Sequence, residues 1–204
     1  MDDVLNALTD MLRELPGIGP RQARRLTYWF ARRDKDWVAR FSRTLVDARR
    51  TVRHCKVCMR MFPVEGRTDT CRICGDPKRD TEVLMVVEKD VDLENIERTG
   101  IYKGHYFVLG GTTSPLDNDP EKKIRVRELQ SLLKTKEQPV QELVLALSAT
   151  TEGEDTALYL TEYVEKVLKE HNIKLSRLGR GLSTGSELEY VDAETMKNAL
   201  TGRH

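Results

Sequence analysis

Val83-Leu84-Met85-Val86-Val87-Glu88 is the stretch on which the fold turns. Five consecutive apolar residues, three of them valine, are too few for a buried helix and too uniform for a half-exposed strand. They read as a strand covered on both faces. Outward from it the rhythm repeats: residues 106–109, 143–147 and 174–178 are further strand-like runs, and helical spacing fills the intervals near 93–98, 121–133 and 155–170. Such alternation predicts a parallel α/β sheet. On the helix from Asp155, Leu160, Val164, Val167 and Leu168 share one stripe, as a helix lying on a sheet requires. A strand at 187–191 and a helix at 193–200 close the expected order.

Upstream of the sheet lies Cys55-x2-Cys58-x12-Cys71-x2-Cys74. Each C-x2-C turn offers two thiolates to one tetrahedral ion, and the loop between the pairs brings the turns together. Four thiolates leave no open position for water, so Zn2+ here would be structural. Metal binding worth about 10–16 kcal/mol can fold a segment this poor in periodic apolar residues. His54 is read as a neighbour of the first ligand, and Arg60, Arg67 and Arg72 as a charged loop within reach of a phosphate backbone.

Before the cysteines, helical spacing covers residues 2–14, resumes at Pro20, and covers a third stretch from Trp37 to Ala48. The first two are separated by Leu15-Pro16-Gly17-Ile18-Gly19-Pro20. Gly17 and Gly19 permit a sharp turn and close approach of the backbone to a phosphate, and the following helix N-terminus favours negative charge. Arg21, Arg24 and Arg25 sit in its first turns, where they add salt-dependent attraction. The pattern is that of a helix-hairpin-helix that holds DNA without reading its bases.

Charge supports this division. Of the 204 residues, 34 are Lys or Arg and 33 Asp or Glu, a net charge of +1. Residues 1–79 carry 18 basic and 10 acidic side chains, net +8, and residues 80–204 carry 16 and 23, net −7. A basic arm suits a polyanion, and an acidic body suits other partners. The longest apolar runs are five residues, against roughly 20 for a membrane helix. The opening Met1-Asp2-Asp3 lacks the basic and apolar regions of a secretory leader, so a reducing, cytoplasmic setting is expected.

The expected carboxyl edge of the sheet gathers Glu88, Asp90 and Asp92, a candidate Mg2+ site. Metal-dependent nucleotidyl transfer needs a second acidic group on a neighbouring strand end. The run 143–147 instead ends Ser148-Ala149-Thr150-Thr151, followed by Glu152 and Glu154 in a turn before the long helix. Gly110-Gly111, after the run 106–109, reads as another turn at the same edge.

In this order the segments resemble the RecR family of recombination mediators from end to end. The likeness rests on 15–20, the four cysteines, Arg79-Asp80 leading into Val86-Val87-Glu88, Thr99-Gly100-Ile101-Tyr102-Lys103-Gly104, Gly110-Gly111, Ser114-Pro115-Leu116, Thr151-Glu152-Gly153-Glu154-Asp155-Thr156-Ala157 and Leu188-Glu189-Tyr190. Where the family has Asn-Pro before its Thr-x-Glu-Gly turn, this chain has Ser148-Ala149. The resemblance implies a helix-hairpin-helix (1–53), a four-cysteine zinc finger (54–78), a Toprim domain (79–175) and a C-terminal strand and helix (176–204). It also implies a clamp-like homo-oligomer, dimer or tetramer, that binds single- and double-stranded DNA at the nucleoid. With RecO, and RecF where used, such a clamp helps load RecA onto strands coated by SSB. Arg21 and Arg25 match the family's DNA contacts, Glu88 the Toprim glutamate, and Glu152 or Glu154 the region linked to RecO and DNA. No catalytic activity is implied. The alternative is a Mg2+-dependent Toprim enzyme acting on DNA through Glu88, Asp90 and Asp92.

Overall fold

A computed structural model describes residues 2–64, 66, 68–135 and 140–202. Arg67 of the cysteine loop lies outside the described residues. The chain divides into two compact units, Met1–Val52 and Arg53–His204.

The first unit is helical: α1 (Asp2–Arg13), α2 (Pro20–Ala31) and α3 (Lys35–Thr51). Helix α1 packs on α2. Ala23 is fully buried, and the Thr9 and Thr27 hydroxyls meet at 2.8 Å. Asp34 caps α3 by accepting the Asp36 and Trp37 N–H groups, as an N-cap aspartate does. The rings of Trp29, Phe30, Trp37 and Phe41 form one cluster, with Trp37 stacked on Phe41 at 5.2 Å.

The second unit opens with β1 (Val52–His54) and β2 (Met61–Pro63), a two-stranded ribbon around the first cysteine turn. The body follows as β3 (Asp80–Val87), α4 (Asp90–Thr99), β4 (Gly104–Val108), α5 (Pro120–Lys123), α6 (Val126–Leu133), β5 (Glu142–Ala146), α7 (Thr151–His171) and β6 (Lys174–Arg177). The four long-range strands pair in parallel in the order β4-β3-β5-β6. Alternation along β3 divides the core. Leu84 and Val86 face one layer with Phe107, Leu143, Leu145 and the apolar stripes of α6 and α7. Met85 and Val87 face the other with Tyr106, Val108 and Leu93 of α4, and here the cysteine segment supplies the remaining cover through Cys55, Cys58, Phe62, Cys71 and Ile73. A segment too poor in apolar residues to build its own core is thus part of the sheet's.

Two expectations are corrected. The single helix expected over 121–133 breaks at Ile124, whose extended backbone carries its side chain into the core at 2% exposure. The next residue, Arg125, donates its N–H to the Leu109 carbonyl and starts α6 anew. The strand expected at 187–191 is a 3-10 turn at Leu188–Tyr190, followed by α8 (Ala193–Thr201). Its backbone bonds are local, Tyr190 N–H to Glu187 and Val191 N–H to Leu188, so the apolar alternation has no sheet edge to join. Leu188 and Tyr190 stay exposed.

The amino end of the sheet is locked by one ion pair. Arg79 binds Glu97 of α4 and donates to the Gly104 carbonyl, while Tyr106 donates its hydroxyl to Glu97 at 3.0 Å. Burial opposes ionisation of Glu97, but the Arg79 bond and charge outweigh it and hold the carboxyl below the usual range. A folded-state pKa lowered below that of the unfolded chain contributes stability that is complete above the ordinary glutamate value, about 4.3, and is lost as pH falls through the folded value. Urea unfolding between neutral pH and pH about 3 should show this acid limb in the parent chain and a flatter one in Glu97→Gln.

Candidate metal and nucleic-acid sites

The turn between α1 and α2 is built by backbone rules. Gly17 holds φ +79°, which an L side chain rarely adopts, while Gly19 is extended and precedes Pro20 at the first helical position. A Cβ added at either glycine would meet nothing within 4 Å, so the space over the turn is open. No side chain caps the N-terminus of α2. Arg21, Arg24 and Arg25 are all exposed beyond it. An uncapped helix N-terminus beneath open space, flanked by guanidinium groups, can hold an anion such as a phosphate.

The four cysteine sulfurs lie within 4.8 Å of one another, with Cys58 Sγ and Cys71 Sγ at 3.6 Å. A tetrahedral ion bonded to sulfur at about 2.3 Å spaces its ligands about 3.8 Å apart, so the quartet can hold a metal such as Zn2+. Backbone bonds fix both turns. Cys55 N–H donates to Arg60, Met59 N–H to Cys55, Gly75 N–H to Cys71, and Lys56 N–H to Asp69 across the pair. Hydrogen bonds from Cys58, Cys71 and Cys74 push the Cys55 thiol far down, whereas Cys58 and Cys74 are pushed far up, first by hydrogen bonding to Cys55 and further by burial. Thiolates packed this closely oppose one another's ionisation, and a divalent cation at their centre would let all four ionise. His54 is not part of the quartet: its Nδ1 faces the Met59 carbonyl at 3.0 Å. Arg60 is turned to Glu94 at 3.7 Å with 12% of its side chain exposed, while Arg72 is exposed.

The first cysteine turn is bolted to the sheet by groups that carry no signal in the sequence. Val108 N–H donates to the Cys58 carbonyl at 2.8 Å. Arg125 donates to the carbonyls of Val108 and of Met59, whose backbone sits at φ +60°. The guanidinium fits because Gly110 has no Cβ: one placed there would lie 3.0 Å from Arg125 Cζ. In the sequence Gly110 reads only as part of a strand-end turn, and nothing in the periodicity marks Arg125.

At the carboxyl edge the structure separates the expected acidic cluster. Val87 is level with Val108 and Ala146, so β3, β4 and β5 end together. Glu88 lies at the switch point between β3 and β5, 5% exposed, and accepts Ser148 N–H at 2.6 Å. The donor is the backbone N–H, so the bond does not depend on the side chain at 148. Asp90 reaches back to accept Met61 N–H at 2.7 Å, and Asp92 accepts Lys89 N–H at 2.9 Å. These aspartates fasten the cysteine ribbon and start α4. Among the described residues, the cysteines are the one group of three or more His, Cys, Asp or Glu gathered closely enough to share an ion. Glu152 and Glu154, expected in a turn, occupy the first turn of α7, whose N-cap is Thr150. Glu154 pairs with Arg177 at 3.2 Å and with Arg180.

A family model described as RecR, helix-hairpin-helix, matches residues 5–49, one for the Toprim domain matches 82–179, and one described as RecR, C-terminal, matches 181–204. Among curated proteins, the chain is 38% identical over 200 residues to a recombination protein RecR of Dehalococcoides mccartyi, covering 98% of this chain and 93% of the relative. It is 40% identical to that of Staphylococcus aureus, covering 98% and 96%, and 38% identical to that of a Nocardioides species, covering 99% and 96%.

The tightest point of the carboxyl edge is Gly153, where an added Cβ would collide with the Ser148 carbonyl and lie 3.3 Å from Glu88 Oε1. Overpacking of this kind costs about 1–3 kcal/mol, and since the obstacle is backbone the upper end is expected. Gly153→Ala should lower the unfolding free energy by that amount in urea titrations, whereas Gly75→Ala, 3.5 Å from its nearest atom, should cost less.

Proposed function

The chain belongs to the RecR family of recombination proteins, and from that premise we propose that it is a DNA-binding mediator of recombination and repair that catalyses no covalent step. The observation that carries the reading is the turn before α2: left-handed Gly17, open space over Gly17 and Gly19, an uncapped helix end, and exposed Arg21, Arg24 and Arg25. Its backbone N–H groups take one phosphate and the arginines take its neighbours, so the grip follows the strand and ignores base sequence.

Around that grip, Cys55, Cys58, Cys71 and Cys74 hold a structural Zn2+ that keeps the ribbon on the sheet. The chain assembles as a dimer or tetramer that closes on DNA as a clamp. Exposed Leu45 and Val46 on α3, and Leu188 and Tyr190 after β6, support this, because apolar surface of that kind favours burial against another copy. The acidic body meets proteins: RecO at the Glu152–Glu154 turn of α7, and RecF where it is used, so that RecA is loaded onto strands coated by SSB. The protein acts in the cytoplasm, at the nucleoid. Mg2+ chemistry at Glu88, Asp90 and Asp92 has less support, because the last two carboxylates are committed to backbone donors in different elements.

Anisotropy titrations of labelled duplex at two salt concentrations test the grip. Arg21→Ala with Arg25→Ala should weaken binding to unrelated sequences alike and flatten the salt slope by about 0.9 per lost phosphate contact. An unchanged slope would contradict it. Native mass measurement tests the clamp: a multiple of the 23.4 kDa chain is expected, and a monomer that binds DNA as tightly would overturn it.

A further inference from the structure

The grip at the start of α2 leaves the exposed side of its second half without a task, while Phe30 on the other side packs against Trp37 and Phe41. Arg21, Arg24, Arg25, Tyr28, Trp29 and Arg32 follow one another along one side of the helix, at i+3 and i+4 spacing, and all are exposed. They form one stripe, about 16 Å long at 1.5 Å per residue. Two clefts lie along it. One, about 830 Å³, runs beside Arg21 and Arg24, and the next, about 450 Å³, is lined by Trp29, Arg32 and Arg33; Arg25 and Tyr28 line both.

The chemistry of this stripe is uneven. Among the described residues, no carboxylate lies within ion-pair distance of Arg21, Arg24, Arg25, Arg32 or Arg33. The nearby acids are engaged: Asp10 pairs with Arg13, and Asp34 caps α3. Amid these cations Tyr28 is 51% exposed and Trp29 41% exposed. The Arg33 guanidinium lies 4.0 Å over the Trp29 ring, a cation–π contact that covers one face of the indole and adds a further cation to the cleft. Unpaired cations call for a polyanion, and exposed rings between them call for one that also offers flat apolar faces. A single-stranded nucleic acid has both, whereas a duplex keeps its base faces stacked inside.

We propose that the second half of α2 is a stacking platform for unpaired nucleotides. A strand laid along the stripe places successive phosphates on Arg21, Arg24 and Arg25, stacks a base in the cleft against Tyr28 and Trp29, and continues onto Arg32 and Arg33. This rests on the reading of the hairpin as a DNA grip, and it adds a preference for single strands that the hairpin alone does not have.

Anisotropy with a labelled oligothymidylate and a blunt duplex of matched length, at one salt concentration, tests it. Tyr28→Ala and Trp29→Ala should each weaken the single-strand complex by roughly 5- to 150-fold and change duplex binding by less than about twofold. Trp29 contacts the Phe30 and Trp37 rings, so its replacement can disturb folding; Tyr28→Ala, whose ring is in neither contact, then decides. In a Trp37→Phe background, oligothymidylate should quench the emission of Trp29, the other tryptophan of the chain, and duplex should not. Unchanged single-strand affinity in Tyr28→Ala, or equal loss on both DNAs, would overturn the platform. So would a drop in native mass with unchanged affinity, which would give this face to a second copy. If the parent chain binds neither DNA, the hairpin reading itself fails; if it binds both through Arg21 and Arg25 while Tyr28 and Trp29 are neutral, only the platform falls.

Discussion

Four sulfur atoms gathered within 4.8 Å cannot all carry charge without a cation among them, and much of the second unit is arranged around that constraint. The cysteine ribbon is where a covering helix would otherwise lie. On one face of the sheet, α6 and α7 bury Phe107, Leu143 and Leu145. On the other, α4 alone is too small, and Cys55, Cys58, Phe62, Cys71 and Ile73 complete the layer over Met85, Val87 and Val108. Three polar clamps tie the cysteine segment to the α/β body: Val108 N–H of β4 on Cys58, Arg125 before α6 on Met59, and Met61 N–H on Asp90 of α4. Through them, the cysteine segment and the sheet are held as one packed unit.

The carboxyl edge shows the same economy. A glutamate at a topological switch point is placed for chemistry, yet Glu88 is buried and its carboxylate is bonded to Ser148 N–H beside the first turn of α7. That bond ties the ends of β3 and β5 to the loop that starts α7. Glu154, bonded to Arg177 and Arg180, ties the same turn to the end of β6 and the chain just after it. These bonds hold the ends of β3 and β5 and the first turn of α7 together at one edge.

Elements whose residues face a core were legible in the sequence. The stripe of Leu160, Val164, Val167 and Leu168 and the run at 83–87 identify their partners by periodicity alone, and the cysteine spacing fixes which sulfurs meet. What escaped depends on contacts between distant segments. Ile124 breaks a helix because the core has room for it, and Arg125 matters because Gly110 and Met59 come to it. The apolar alternation at 187–191 reads as a strand, yet strand formation needs a neighbour that sequence cannot supply, and local 3-10 bonds prevail. Asp90 and Asp92 look like metal ligands in a line of text; in space one faces a β-ribbon and the other its own helix start.

The central claim is that one metal ion, held by four cysteines, keeps the ribbon seated on the sheet. Hydrogen exchange of the Val108 amide, which donates to the Cys58 carbonyl, reads this directly. With metal analysis of the same sample, the account predicts one zinc per chain and a protected Val108 amide that exchanges once a chelator removes the ion, while amides of α7 such as Leu160 remain protected longer. A metal-free chain whose Val108 amide is fully protected, or protection unaltered by chelation, would contradict it.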